Sequence, residues 1–172
     1  MSPAPWAETA AFARYPSLQG RVAIVTGGAT GIGAEIVRQL AGQGARVAFL
    51  DIQDGPAAAL AAALEAAGVP RPSYRPCDIT DVTALQAAIT DLGATLGPAA
   101  VLVNNAANDT RQRFDEVTVD AYRRTMAVNL DHVFFAIQAV RPQMRTLGFG
   151  SIVNLSSIAW MAGGENLAAY SA

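Results

Sequence analysis

The 172 residues suffice for one domain with a substantial core, and a hydrophobic content of 52% excludes a disordered chain. A net charge of −2 leaves no basic field to draw nucleic acid or an anionic membrane, and no apolar run reaches the about 18 residues that suggest a membrane span. The single Cys77 cannot close an internal disulfide, no Cys/His cluster has metal-ligand spacing, and the proline-containing start holds no signal-like apolar run, so a metal-free, cytoplasmic enzyme or binding domain is expected.

Residues 1–20 read as an N-terminal extension. Residues 21–26 (RVAIVT) are a β-branched run followed by turn glycines and predict a buried strand. Over residues 31–43, Ile32, Ile36, Val37 and Leu40 repeat at helical spacing, and Gly44 stops the helix. Residues 45–51 (ARVAFLD) give a second strand. The Ala- and Leu-rich stretch 56–67 gives a second helix ended by Gly68. A third strand over 72–78, a third helix over 81–96 and a fourth strand over 99–104 follow. Residues 118–147 predict one long helix, with Tyr122, Met126, Leu130, Phe134, Ile137 and Met144 near one stripe. Residues 150–156 (GSIVNLS) form a fifth strand. Alternation of strands and helices, with strands apolar throughout, predicts an α/β fold: a doubly wound parallel sheet covered on both faces. His132 reads as a structural residue of the long helix and Cys77 as a buried, inert thiol. Arg111, Arg113, Arg123 and Arg124 interleave with acids and read as solvated surface.

The first strand runs through Thr26, Gly27, Gly28, Ala29, Thr30, Gly31, Ile32 and Gly33 straight into a helix. Unpaired amides at a helix N-terminus carry partial positive charge and suit a pyrophosphate, and glycine lets the backbone approach it. The spacing G-x3-G-x-G differs from the commonest dinucleotide fingerprint, and the loop lacks the lysine of a P-loop. Asp51 ends the second strand 18 residues after Gly33, the place of a ribose-binding carboxylate; the alternative is a turn or N-cap aspartate. No Arg or Lys in the loop could hold a 2′-phosphate, so NAD is expected over NADP. Residues 21–172 therefore read as a dinucleotide-binding domain.

These motifs resemble the short-chain dehydrogenase/reductase family. TGGATGIG is similar to its cofactor loop, Asn104-Asn105-Ala106-Ala107 to its NNAG signature with Ala for the final Gly, and Asp78 to the adenine-contacting residue. Asn129 matches the active-site Asn, Ser157 in IVNLSS the catalytic serine, and Tyr170, thirteen residues on, the catalytic tyrosine. The resemblance implies a Rossmann-like sheet of order 3-2-1-4-5. It also implies cofactor contacts at Gly27, Thr30, Gly31, Ile32, Gly33, Asp51, Ile52, Asp78, Ile79, Asn105, Ala106, Ala107 and Tyr170. A homodimer or homotetramer is implied as the assembly. RYPSLQGRV, NNAANDTR and SSIAW look like the aldose 1-dehydrogenase branch, which would put Asn108, Asp109 and Trp160 near a sugar. Loop polarity and simple aromatic packing are the other readings of those three residues.

The implied activity is hydride transfer between NAD and a secondary alcohol or sugar hydroxyl, Tyr170 being the base, Ser157 holding the substrate oxygen and Asn129 anchoring a water. A free tyrosine, with pKa near 10, is ionised in about one molecule in 10³ at pH 7. The family lowers this with a lysine four residues after the tyrosine. All twelve basic residues here are arginines, and that lysine would stand at position 174, past Ala172. The chain is therefore expected to be a fragment, inactive by itself, that lacks the later part of the fold and leaves the fifth strand as an open edge. The other readings are an NAD-binding fragment without catalysis and a reductase of 3-oxoacyl thioesters or hydroxysteroids.

Overall fold

A computed structural model describes residues 13–172; the expected extension lies outside the described residues as far as residue 12. Five parallel strands form one sheet in the expected order, β3-β2-β1-β4-β5. They are β1 (Val22–Thr26), β2 (Arg46–Asp51), β3 (Ser73–Pro76), β4 (Ala99–Asn104) and β5 (Ser151–Asn154). β3 is shorter than the sequence suggests. It ends at Pro76, which has no N–H for a ladder and is tolerated here because β3 is a sheet edge. Among the described residues, β5 is the opposite edge and pairs only with β4.

Three layers follow from the alternation of side chains along each strand. Ile24, Ala48, Leu50 and Leu102 point to one face, where they pack with Leu85 and Ile89 of α3 (Val82–Leu96 in the order of helices) and with Ala136 and Val140 further on. Val25, Val47, Phe49 and Val103 point to the other face. They meet Val37 of α1 (Gly31–Gly42) and Leu60 and Leu64 of α2 (Asp54–Ala66). α3 starts at Asp81, whose side chain accepts from the Ala84 amide at 2.9 Å, an N-cap worth about 1 kcal/mol. The described part of the extension is tied down. The Gly20 amide donates to the Gly44 carbonyl at 2.8 Å, and Gln43 bonds the backbone at Ala13 and Tyr15.

The expected long helix has an irregular middle. α4 (Val119–Met126) passes through a π turn (Ala127–Asp131) into α5 (His132–Leu147). Its buried face is set by Ala121, His132, Ala136, Val140 and Met144, of which Met144 alone belongs to the expected stripe. Tyr122, Leu130 and Phe134 face outward, with Phe134 64% exposed. Small alanines let the helix lie close on the sheet, and the π turn rotates the second half relative to the first. Two short helices, α6 (Ala159–Ala162) and α7 (Ala168–Ser171), end the chain.

Chain order reverses between β1 and β4: β1 leads to β2 and β3 on one side, and β4 returns to the other. Loops after two neighbouring strands then part, and a crevice opens at their carboxyl ends. Both candidate clefts lie there.

Candidate functional site

The first cleft, of about 370 Å³, is built around the turn after β1. Gly27 has a φ of +65°, and a Cβ there would stand 2.8 Å from the Ala106 Cα. At Gly33 a Cβ would fall onto the Gly27 carbonyl oxygen, so only glycine lets α1 start this close to the loop. Thr30 is the N-cap residue of α1 but makes no side-chain cap bond, which leaves the first-turn amides facing the cleft without a protein acceptor. That is an anion cradle. Gly31 does not border the cleft. Its φ of +55° instead turns the chain into the helix.

Asp51, 8% exposed, sits at the tip of β2 beside this cradle. Its Oδ2 accepts from the Ala29 amide at 2.9 Å and its Oδ1 from the Gln53 amide at 3.0 Å. An ionised carboxylate has about four lone-pair directions, so about two remain for hydroxyl donors from a ligand. No arginine borders the cleft. Tyr74 braces the outer side. Its hydroxyl donates to Asp54 at 2.7 Å, and desolvation, that hydrogen bond and the charges of Asp54 and Asp51 push its pKa up to about 12.

Of the other expected cofactor residues, Ile32, Ile52, Asp78, Ile79, Asn105, Ala106 and Ala107 border the same space, and Tyr170 does not. Asp78 is also a turn residue, its Oδ1 accepting from the amide and hydroxyl of Thr80 at 2.9 and 2.7 Å. Cys77 borders the cleft as well, buried, with desolvation and then the charges of Asp78 and Asp81 pushing its thiol up. Asn105 donates its side-chain amide to the carbonyls of Thr26 and Gly27 at 3.1 and 2.9 Å, which clamps the β4 loop to the β1 loop.

The sequence reading missed the partner of that clamp. Thr26, fully buried, accepts with one hydroxyl oxygen from the amides of both Asn105 and Ala106, each at 3.1 Å. A threonine before a glycine turn carries no pattern that marks such a role.

The second cleft, of about 280 Å³, lies between β4, β5 and α5 and is bordered by Asn129, Ser157, Trp160 and Tyr170. The structure thus gathers the three expected catalytic residues in one place, with Tyr170 bordering this cleft and not the first. Asn129 lies in the π turn. Its side-chain amide donates to the Thr125 carbonyl at 2.9 Å, and the turn closes with the His132 amide on the Ala127 carbonyl, an i→i−5 bond. The same side chain donates to the Asn108 carbonyl at 3.0 Å and accepts from the Asn108 amide at 2.9 Å. Both of its hydrogens are therefore committed to backbone.

Of the three candidate substrate residues, Trp160 borders the second cleft, 66% exposed on α6. Asn108 borders the first, but its Oδ1 is occupied by the amide and hydroxyl of Thr110. Asp109 is exposed on the loop and borders neither. That loop is tied across to the segment after β5: Arg111 donates to the Glu165 carbonyl at 3.0 Å, and the Gln112 amide to the Asn166 carbonyl at 2.8 Å. Arg111 is therefore more than solvated surface, whereas Arg113 pairs with Asp115 and Glu116 in the open.

A short chain dehydrogenase family model matches residues 21–172. The chain is 44% identical over 158 residues to a probable galactose dehydrogenase of Rhizobium meliloti, covering 92% of this chain and 62% of that protein. It is 42% identical over 156 residues to a D-xylose 1-dehydrogenase of Caulobacter vibrioides, covering 91% and 61%. Among solved structures it superposes on a gluconate 5-dehydrogenase of Burkholderia cenocepacia, determined with NADP and tartrate, with a TM-score of 0.81, 33% identity and coverage of 92% and 60%. The chain spans about three fifths of the length of these relatives.

Proposed function

The chain belongs to the short-chain dehydrogenase family, and on that premise we propose that it forms the NAD-binding and catalytic part of a dehydrogenase oxidising a secondary alcohol, specifically the hydroxyl of an aldose. The observation that carries the cofactor assignment is Asp51: buried, hydrogen-bonded to the loop amide of Ala29, and with no arginine among the described residues that border its cleft. Its free lone pairs suit the ribose hydroxyls. A 2′-phosphate about 4 Å away would be repelled by roughly 4 kcal/mol per unit charge at an effective dielectric near 20. The gluconate 5-dehydrogenase was solved with NADP, so the preference is a property to be tested on this sequence.

The anion cradle at α1 would take the pyrophosphate, and Asp78 with Ile79 the adenine end. The bound nicotinamide would accept the hydride. Tyr170 would take the hydroxyl proton and Ser157 would hold the substrate oxygen. Asn129 would set the wall of the site by fixing the Asn108 backbone. The sugar assignment rests on likeness to the galactose and xylose dehydrogenases and on Trp160, an exposed indole beside Ser157 on which a sugar face can stack. Asn108 and Asp109 would line the mouth of the loop. The outward Tyr122, Leu130 and Phe134 of α4 and α5 would be covered by a second copy in a homo-oligomer.

Titration of the full-length protein with each cofactor tests the reading. NAD should bind at least about tenfold more tightly than NADP, roughly 1.4 kcal/mol. Asp51→Ala should narrow the gap. Equal or tighter binding of NADP by the unaltered protein would overturn the cofactor assignment.

A further inference from the structure

Tyr170 stands on α7, a helix of four residues, far too short to hold a position by itself in water. The residues before it, Gly163 to Asn166, form an irregular turn. Asn166 has a φ of +61°, the one left-handed residue other than glycine among the described residues. Such a conformation is disfavoured, least so for Asn, and persists where the surroundings hold it. The place of the phenol is therefore set by ties between this turn and the rest of the fold. Leu167, the residue before α7, is buried, and α7 lies against α4. The loop after β4 supplies the remaining tie. Arg111 gives one guanidinium nitrogen to the Glu165 carbonyl at 3.0 Å, and the Gln112 amide donates to the Asn166 carbonyl at 2.8 Å. Unlike Arg113, Arg111 pairs with no acid among the described residues, so its charge is directed at a backbone carbonyl.

That loop is itself fixed. Both backbone groups of Asn108 are bonded to the Asn129 side chain, at 2.9 and 3.0 Å. The Asn108 Oδ1 accepts in turn from the amide and hydroxyl of Thr110, at 2.9 and 2.6 Å. A continuous path of bonds thus leads from the π turn through Asn108 and Thr110 to Arg111 and the turn that carries Tyr170. We propose that Arg111 is a positioning residue for Tyr170. By holding the Glu165–Asn166 turn to the loop after β4, it sets where α7 presents the phenol beside Ser157. Asn108 borders the cofactor cleft, so the same tie keeps the phenol in register with that cleft. This rests on the dehydrogenase reading, in which the Tyr170 oxygen takes the proton of the substrate hydroxyl. The two oxygens must meet at hydrogen-bonding distance, and a misplacement of about 1 Å can cost about 10²-fold.

The test uses the full-length protein. Arg111→Met keeps the apolar stem and removes the donor. Arg111→Lys restores a donor, which suffices because one guanidinium nitrogen makes the bond. Arg111→Met should lower kcat at least about fivefold, inside the range that misplacement spans. The loss should be equal for an aldose and a simple secondary alcohol, with KM and NAD affinity unchanged, and Arg111→Lys should recover most of it. Asn166→Val loosens the same tie from its other end, because a β-branched residue resists the left-handed region. It should act like Arg111→Met, and the double variant should lose little more than either alone. Unchanged kcat in Arg111→Met would overturn the proposal. So would a rise in KM confined to the aldose, which would make Arg111 a substrate-binding residue. Hydrogen exchange tests the tie without turnover: it should quicken over residues 163–171 in Arg111→Met and stay as it was in β1 and β4. Quickened exchange in a protein whose unaltered form oxidises no alcohol would remove the dehydrogenase reading and leave the tie. Unquickened exchange, with an active unaltered form, would remove the tie.

Discussion

The two clefts are built to different degrees of completion. Around the cofactor cleft, β1 is buried at every position, Thr26 and Asp51 have their partners, and the glycines leave room only for backbone and ligand. Around the second cleft β5 is exposed at every position, and the buried atoms without partners, His132 and Asn104 Oδ1, both border it. Binding geometry is thus fixed within these residues by packing and hydrogen bonds.

Separating binding from turnover is the sharpest way to break this contrast. Residues 1–172 alone should bind NAD within about tenfold of the full-length protein while oxidising alcohol at least about 10²-fold more slowly. A positioned acid–base group contributes about 10²–10⁴-fold, and this chain has no lysine to stabilise a tyrosinate. Calorimetric titration and steady-state assay on both forms measure the two quantities. Full turnover by residues 1–172 would mean that another cation serves Tyr170.

Next in size is the clamp between the loops. Thr26→Val keeps the shape but strips two part-buried amides of their acceptor, so it should destabilise by about 2 kcal/mol, the lower end of the usual penalty for each. Thr26→Ser should recover most of this. Ser157→Ala, at the second cleft, should change stability by less than about 0.5 kcal/mol while lowering turnover, because Ser157 makes one local bond, to the Ala159 amide. Urea denaturation of the three variants compares them. Equal losses for Thr26→Val and Ser157→Ala would erase the distinction between the two regions.

Sheet order, the parallel strands and the glycine turn were legible because they rest on local signals: β-branched runs, helical spacing, and glycine where a Cβ has no room. The gathering of Asn129, Ser157 and Tyr170 was legible as a motif order. The burial of the long helix was not. Its large stripe residues, Tyr122, Leu130 and Phe134, face out, while Ala121, Ala136 and His132 face in, since close approach to a sheet selects for small side chains that hydrophobicity alone does not flag. The π turn was also invisible, since the apolar spacing that predicted one helix carries no signal for a single i→i−5 turn within it. Thr26 was missed for the same reason. A single polar residue in a regular element shows its role only through its partners, or through lacking them.

A covered outer face of α4 and α5 would be weakened by Phe134→Glu. This should shift the full-length protein toward smaller species in sedimentation without lowering NAD affinity, since Phe134 lies away from both clefts. An unchanged sedimentation profile would remove this face as the site of assembly.

The smallest effect expected is on stability against pH, and it also turns on the contrast. Desolvation lowers the pKa of His132 in the fold, whereas in the unfolded chain an imidazole titrates near 6.5. Between the lowered value and about 6.5 the unfolded state therefore binds the extra proton and the folded state does not. Stability rises with pH wherever the unfolded state binds more protons, so this contribution is intact above about 6.5 and is lost as pH falls below it. One site can contribute a slope of at most about 1.4 kcal/mol per pH unit. Other groups titrate in the same range, so the quantity to measure is the stability difference between the unaltered chain and His132→Phe from pH 7.5 to 5. Acidification should move that difference steadily in favour of the phenylalanine variant. A flat difference would mean that the ring is already charged in the fold, and the second cleft would then hold no buried neutral base to set against the hydrogen-bonded carboxylate of Asp51.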